Sequence, residues 1–448
     1  MTQNSNIAAI ASPPGVGAVA LIRVSGPDAK AICAECFQGI PAVKWEARKQ
    51  YYGKIIDRED QIVDDVLLTW FAAPNSFTGE DVVEIACHGG VLVTRDVLST
   101  VLAAGADSAA PGEFSQRAFF HGKLDLTQAE AIMDLISAQS DLAVKAAREQ
   151  LDGRLGTELG LIREKLITVL AHVEAHIDFP DEDIDPDTVD QLSSRLNEVI
   201  GMVSGLLATA NQGRILREGL RTVICGAPNA GKSSLLNLLL GFDRAIVNPT
   251  AGTTRDTIEE VINLKGIPVR LIDTAGIHEG EGDVEREGIE RSRVQLERAE
   301  LVLFVIDSSA SGEVAKRIDL PDGARVLRLL NKSDLPTHPD WEGEEGIEIS
   351  CLTKDSADAI GEVLYQNLVE SGAVNTASLT AINTRHQHCL RKAGEYLHNA
   401  AENLKAGESP EFVAMDLREA LGAIGEVIGK TDVEEILGEI FSSFCIGK

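Results

Sequence analysis

Along the first 118 or so residues, apolar positions come in short β-branched runs, AVALIRVSG, DDVLLTWFAA and DVVEIACHGG, punctuated by Gly, Pro and Asn. That pattern predicts strands and turns of a small α+β unit. From about residue 122 the apolar period lengthens to that of a helix, starting with LTQAEAIMDLISAQSDLAVKAAREQL and running to about Gln212. Within this stretch Leu192, Leu196, Val199, Val203 and Leu206 alternate spacings of four and three. One apolar seam on one helix follows, too short for a long coiled coil and suited to a bundle. Strand-like and helical patterns then alternate from Arg221 to about Ser371, which predicts a parallel sheet covered by helices. Residues 379–448 return to helical periodicity and are few for a core of their own. They are expected to pack on the helices of residues 122–213, which makes the α/β segment an insertion in a discontinuous helical domain. The predicted domains are 1–120, then 121–215 with 377–448, with 216–376 inserted between. There is no internal repeat.

The length of 448 residues agrees with about three domains, and 44% hydrophobic with 25% charged residues is an ordinary globular balance. No apolar run reaches the roughly 18 to 20 residues of a membrane helix, and MTQNSNIAAIASPPG lacks the basic-then-apolar layout of a secretory signal. A cytoplasmic protein with no membrane partner is expected, its seven scattered cysteines reduced. Charge changes the picture more. With 41 Lys and Arg against 70 Asp and Glu the net charge is -29, so any nucleic-acid contact must be local or shared with a partner. The acidic run from Pro180 to Asp187 reads as a solvated loop, since two prolines interrupt helix and no EF-hand spacing is present.

The chemistry begins at RTVICGAPNAGKSSLLNLLLG, an apolar strand, a Gly-rich turn and a helix, with Gly226, Gly231, Lys232 and Ser233 matching GxxxxGKS. In such a loop the backbone N–H groups of Asn229, Ala230, Gly231 and the residues through Ser234 cradle phosphates. Lys232 reaches the β and γ oxygens, and the Ser233 hydroxyl binds magnesium. TAGTTRD follows, where a switch segment supplies a second hydroxyl to magnesium; Thr254 is the candidate, with Thr253 lining the site. The hairpin TIEEVINLKGIPVRLIDTAG ends in Asp273, Thr274, Ala275 and Gly276. Its aspartate suits a water-mediated magnesium contact, and the Gly276 N–H suits the γ-phosphate. VLRLLNKSDL then sets Asn331, Lys332 and Asp334 at a strand end, where the carboxylate accepts paired hydrogen bonds that guanine donates and adenine does not. Ser350 and Cys351, after GIEIS, bring a backbone N–H toward the base carbonyl. Four elements in this order on strand ends predict a GTP-binding domain.

Hydrolysis needs an oriented water. Where small signalling GTPases place a glutamine after DTAG, this chain has Ile277, so a polar group of IHEGEGDVEREG must serve. Glu279, Glu281, Asp283 and Glu285 compete on equal terms by this reading. No cis arginine has an evident path to the phosphates, although Arg255 sits close in the switch, and charge between the β and γ phosphates still needs neutralising. The side-chain oxygen of Asn229 suits a monovalent cation there, as it suits a plain turn residue.

Taken together, VALIRVSGP, SFTGEDVVEIACHGG, PGEFSQRAFFHGKLDLTQAEAI, GAPNAGKSS, TAGTTRD, DTAGIH, NKSD and the terminal CIGK closely resemble the MnmE (TrmE) family of bacterial tRNA modification GTPases, over the whole chain. The resemblance implies an N-terminal α+β folate-binding-like domain that dimerises, a discontinuous helical domain and an inserted Ras-like doubly wound P-loop GTPase domain. It implies a homodimer that joins the flavoprotein MnmG in a heterooligomer. Together they install an aminomethyl or carboxymethylaminomethyl group at carbon 5 of the wobble uridine of certain tRNAs. The one-carbon unit comes from a tetrahydrofolate derivative, 5,10-methylene- or 5-formyl-tetrahydrofolate. By motif matching, Arg23, Glu80, Lys123 and Lys448 are the implied folate contacts, basic groups suiting the folate glutamate and an acid the pterin edge. The resemblance also selects Glu285 as the water-orienting residue. It makes Asn229 a ligand to a potassium ion with Asn248, Thr250 and Thr253 around it, the cation replacing an arginine finger once two GTPase domains meet.

Cys445 is a candidate for uridine chemistry, with a positioning role preferred because no neighbouring feature lowers its thiol pKa. Cys33 and Cys36 form a CxxC in a predicted helix with no second pair for zinc, and His88 of CHGG reads as a turn anchor. Two rivals stand beside this reading. One is an RNA-binding assembly GTPase that modifies nothing, although such proteins usually append a basic module that this acidic chain lacks. The other is a scaffold whose flavin partner does all the chemistry.

Overall fold

Strands form in the first 110 residues because alternate side chains of each apolar run reach one buried face. In this computed structural model residues 5–178, 189–241, 259–273, 294–321, 324–352, 355–370, 379–430, 434–442 and 444–447 are described. Strands β1 (Ile7–Ile10), β2 (Val19–Ser25), β3 (Phe37–Gln38), β4 (Gln50–Ile56), β5 (Ile62–Phe71), β6 (Val82–His88) and β7 (Asp107–Ser108) form one sheet in the order β3-β4-β5-β6-β2-β1-β7. Helices α1 (Ala29–Cys36) and α2 (Val91–Ala103) cover one face, where Ala20, Ile22 and Val24 of β2 meet Val83, Ile85 and Cys87 of β6. Neighbouring positions point the other way, so Arg23 and Ser25 of β2 share the opposite face with Glu84 of β6. That face becomes the polar cluster described below.

The chain divides into two compact units, residues 1–133 with 424–448, and residues 134–423. The first unit is completed by α3 (Glu113–Phe120), by the start of α4 (Leu126–Ser137), and by the chain's return. There Leu126 and Ala129 pack with Leu437, Phe441 and Phe444. The last 25 residues thus fold with the N-terminal sheet, which helical periodicity alone does not disclose.

In the second unit α5 (Asp141–Leu151), α6 (Arg154–Asp178), α7 (Val189–Ala208) and α8 (Ala210–Glu218) precede an α/β body. All five seam residues of α7 are buried, as their spacing predicts. The body runs β8 (Leu220–Gly226), α9 (Lys232–Leu239), β9 (Glu259–Leu264), β10 (Ile267–Asp273), β11 (Leu301–Asp307), β12 (Arg325–Asn331), β13 (Ile347–Glu348) and α10 (Asp355–Glu370). Its sheet is ordered β13-β12-β11-β8-β10-β9, and only β9 runs antiparallel to its neighbour. Central β11 is apolar on both faces: Leu303 and Val305 join one core, and Val302, Phe304 and Ile306 the other. A continuous hydrophobic run of this kind marks a doubly covered parallel strand. Trimming Leu303 to Ala there would cost about 3 kcal/mol. Helices α11 (Thr384–Ala406) and α12 (Pro410–Ile428) follow, α11 packing along α7, and α13 (Glu434–Ser442) belongs to the first unit. Among the described residues no helix is long and apolar enough to cross a membrane.

Candidate functional sites: a phosphate loop and a polar cluster

At the carboxyl end of β8 the chain turns through Gly226 to Gly231 before α9 begins at Lys232. Two glycines are dictated by contact. A Cβ at Gly226 (φ 152°) would lie 2.2 Å from the Val305 carbonyl oxygen, and one at Gly231 (φ 101°) 2.2 Å from the Asn331 side-chain nitrogen. The loop is therefore pinned between β11 and β12, its geometry set before any ligand arrives. Asn229 adopts a left-handed φ of 61° at the exposed tip, and its side chain makes no hydrogen bond among the described residues. Its amide oxygen fits a monovalent cation on that ground. Lys232 is buried, its Nζ donating to the carbonyls of Gly226 (3.1 Å) and Ala227 (2.9 Å). That ammonium is held within the loop, where phosphate oxygens would take over these bonds. Ser233 and Ser234 stand exposed in the first turn of α9, so the Ser233 hydroxyl is open to a hard cation. Burial pushes the Cys225 thiol beneath the loop up to about 12 despite nearby Lys232, so it stays protonated.

The guanine-reading elements come together around Asn331. Its Nδ2 donates to the Ala230 carbonyl at 2.8 Å, and its Oδ1 accepts from the Cys351 N–H at 3.2 Å. Asn331 thus ties three sequence-distant segments and has a positioning role. The Asp334 carboxylate accepts from the Ser350 hydroxyl at 2.6 Å, which fixes one oxygen and aims the group. Lys332, at a left-handed φ of 66°, donates to Asp307 at 2.5 Å. Burial pushes the Asp307 carboxyl up, but the bonds from Lys332 and Ser309 outweigh it and hold it below the ordinary carboxylate value. Asp307 is absent from the sequence-derived set. Its signal is the pattern LVLFVID, an apolar strand closed by an acid like VRLID at Asp273.

Asp273 ends β10, its backbone in register with Ile224 of β8 beside the loop. Asn248, Thr250, Thr253, Thr254, Thr274, Ala275, Gly276 and Glu285 lie outside the described residues. So do Arg255, Glu279, Glu281, Asp283, Lys448 and the run from Pro180 to Asp187.

The first unit carries a different construction. Arg23 donates from Nε (3.0 Å) and Nη2 (2.7 Å) to Glu84, and from Nη1 to the Gly447 carbonyl at 3.4 Å, between the rings of Phe77 and Phe114. On the same face Ser25 donates to Glu80 Oε2 at 2.7 Å and shares a hydrogen bond with Thr78 at 2.7 Å. Arg117 joins Glu80 at 3.2 Å and Glu113 at 2.8 Å, and also binds Ser5. Arg117, Glu80 and Glu113 are each only 10 to 12% exposed. Arg23, Glu80 and the residue before Lys448 are therefore brought to one face. Lys123 is exposed, and its ammonium joins none of these bonds. The polar groups fit folate: among the described residues Glu80 Oε1 accepts only from Arg117, and the long Arg23 Nη1 bond is readily exchanged.

Outside the cluster, His88 Nδ1 lies 2.7 Å from Asp64 Oδ1, and its N–H donates to the same carboxylate. That bond and charge raise the His88 pKa. Cys33 and Cys36 face the core of α1, and burial lifts both thiols, Cys36 to about 11. Cys445 is exposed, one residue after buried Phe444.

Fold and phosphate loop together define a P-loop GTPase, an enzyme that hydrolyses GTP, carried within a multidomain α/β chain. Comparisons refine the class. The profile of the MnmE helical domain matches residues 126–445, and that of the GTP-binding protein TrmE N-terminus matches residues 6–123. The tRNA modification GTPase MnmE of Akkermansia muciniphila is 50% identical over 443 residues, 99% of this chain and 98% of that one. Those of Geobacter metallireducens (43%) and Natranaerobius thermophilus (42%) align over 100% of both chains. The chain belongs to the MnmE (TrmE) family of tRNA modification GTPases.

Proposed function

We propose that this protein hydrolyses GTP to drive modification of carbon 5 of the wobble uridine of certain tRNAs, adding an aminomethyl or carboxymethylaminomethyl group with a flavoprotein partner and a tetrahydrofolate one-carbon unit. The observation that carries this reading is full-length kinship with tRNA modification GTPases, joined to a phosphate loop pinned by Gly226 and Gly231. Residues 216–376 form the GTPase domain in this reading. Residues 121–215 with 377–448 form the helical domain, whose ends, 121–133 and 424–448, pack into the first unit with residues 1–120, the folate-binding, dimerising domain. The three share the work in a cytoplasmic homodimer.

Lys232 and the loop N–H groups bind and orient the β and γ phosphates, while Asp334, aimed by Ser350, selects guanine. Glu285 orients the attacking water. Magnesium, held by Ser233 and Thr254, would supply charge neutralisation at the β and γ phosphates. Potassium at Asn229, with Asn248, Thr250 and Thr253, would neutralise the leaving side when two GTPase domains pair. In the first unit Arg23, Glu80, Lys123 and Lys448 hold folate. Cys445 sits at the end of that unit, and its part is positioning rather than nucleophilic.

The test is nucleoside analysis of tRNA from a strain deleted for this protein, complemented by the wild type or by Lys232→Ala. Loss of the wobble modification, restored only by the wild type, is expected. An unchanged nucleoside profile on deletion would sink the modification reading and favour an assembly GTPase.

A further inference from the structure

In a chain of net charge -29, two segments without acids converge on one pocket: residues 210–217 of α8 and residues 384–392 of α11. The pocket, about 390 Å³, is lined by Asn211, Arg214 and Arg217 of α8 and by Thr384, Arg385 and Gln387 of α11, with Glu218 the one acid in the lining. Every one of those six side chains can donate a hydrogen bond. Arg214 is held by a fork onto Glu300 and by Asn211. Arg217 is more telling. Only its Nε is engaged, at 2.8 Å from both oxygens of Asp134, while its two Nη groups have no hydrogen bond among the described residues, although the side chain is just 21% exposed. A guanidinium on the wall of a cavity, with its outer donors unspent among the described residues, suits an anion. The N-terminus of α11 does not explain the pocket, because Asn383 and His386 already close it as a capping box.

The positive character continues along the helix. Thr384, His388 and Arg391, at i, i+4 and i+7, are exposed on one stripe, and Lys392 follows. Neither Arg391 nor Lys392 has an ion pair among the described residues. Seven residues of helix span roughly 10 Å. A single small anion would fill the pocket and leave that stripe unused, whereas a chain of phosphates uses both. A polyanion with repeated charges suits the whole feature, and phosphate contacts from Arg, Lys, Asn, Gln and Thr are the common currency of nucleic-acid backbones.

We propose that the α8–α11 pocket and the adjoining stripe of α11 form the tRNA-backbone contact of this protein, one phosphate seated against Arg217 and its neighbours along Arg391 and Lys392. This rests on the tRNA modification reading above. Its location answers the problem that total charge raises: an acidic chain places its RNA contact where two acid-free stretches meet, residues 210–217 of α8 and 384–392 of α11, with Glu218 and Glu395 just beyond them.

The test measures tRNA binding by the full-length protein across a salt series, for the wild type, for Arg391→Ala with Lys392→Ala, and for Gln387→Glu, which adds one negative charge to the pocket at constant shape. Roughly tenfold weaker binding and a log–log salt slope shallower by about 1.5 are expected for the double variant. Gln387→Glu should also weaken binding, and GTP hydrolysis should stay at the wild-type rate in both, which reports an intact fold. Wild-type affinity and slope in both variants would overturn the proposal, as would a wild-type protein that hydrolyses GTP and binds no tRNA. Failure of the underlying reading is seen separately. In that case the deletion strain keeps its nucleoside profile while the charge-dependent RNA binding persists.

Discussion

The phosphate loop supplies its anion cradle from one run of consecutive residues, Gly226 to Ser234, whereas the N-terminal cluster gathers Arg23, Glu80, Glu84 and Arg117 from separate segments of its sheet and helices. In the loop, backbone N–H groups do most of the binding, and side chains such as Asn331 hold the backbone in place. In the cluster, buried side chains bind one another, and any ligand must exchange with bonds already made. The first construction tolerates no change of path. The second tolerates no change of charge.

That contrast can be broken by substitution. The largest effect is expected at Lys232→Ala, where loss of the charge aimed at the phosphates should reduce GTP hydrolysis by roughly 10²–10³-fold while thermal unfolding moves little. A hydrolysis rate near the wild type would place the phosphates elsewhere. Next comes Asp334→Asn. Removing the carboxylate that accepts from guanine should weaken GTP binding by roughly a hundredfold, given two charge-assisted hydrogen bonds. Direct binding measurements with GTP and ATP read this, and unchanged discrimination between them would remove Asp334 from the base site.

In the other region, Arg117→Ala leaves Glu80 and Glu113 nearly buried and uncompensated, so a loss of about 3 kcal/mol in stability is expected, measured by urea unfolding of the full chain. GTP hydrolysis below the transition should be unchanged. Equal stability would mean that the cluster is far wetter than its exposure implies. The smallest effect concerns His88. Its folded pKa lies above the ordinary value because Asp64 favours the imidazolium. Its contribution to stability is therefore fully present below the unfolded pKa and lost as pH rises through the folded one. Titration by NMR should show a midpoint above the ordinary histidine value, brought back by Asp64→Asn. Identical midpoints in the two proteins would show that the contact is not kept in solution.

The same contrast explains what could be read from the chain. GxxxxGKS, NKSD and the apolar strands before them are contiguous, because a backbone-built site writes itself into local sequence. The α7 seam was equally legible, since helical spacing alone puts Leu192 through Leu206 on one face. Arg117 and Glu84 carried no local signal: their importance arises only when β6 and α3 are folded beside β2. Asp307 lies between these cases, announced by LVLFVID but meaningful only through Lys332, 25 residues later. The last stretch of chain read as helix correctly, yet periodicity carried no information that Phe441 and Phe444 would pack against Leu126 rather than within the helical bundle. Residues that resemblance alone supplied, among them Glu285 and Lys448, had no physical signature that set them apart from neighbouring charges.

The most direct test of the account is the rate of GTP hydrolysis by the purified protein in potassium chloride against sodium chloride at equal ionic strength, with Glu285→Ala measured alongside. Strong stimulation by potassium is predicted, with hydrolysis lost and GTP binding kept in the variant. Equal rates in the two salts, or a fully active Glu285→Ala, would contradict it and return the catalytic role to Arg255 and the competing carboxylates.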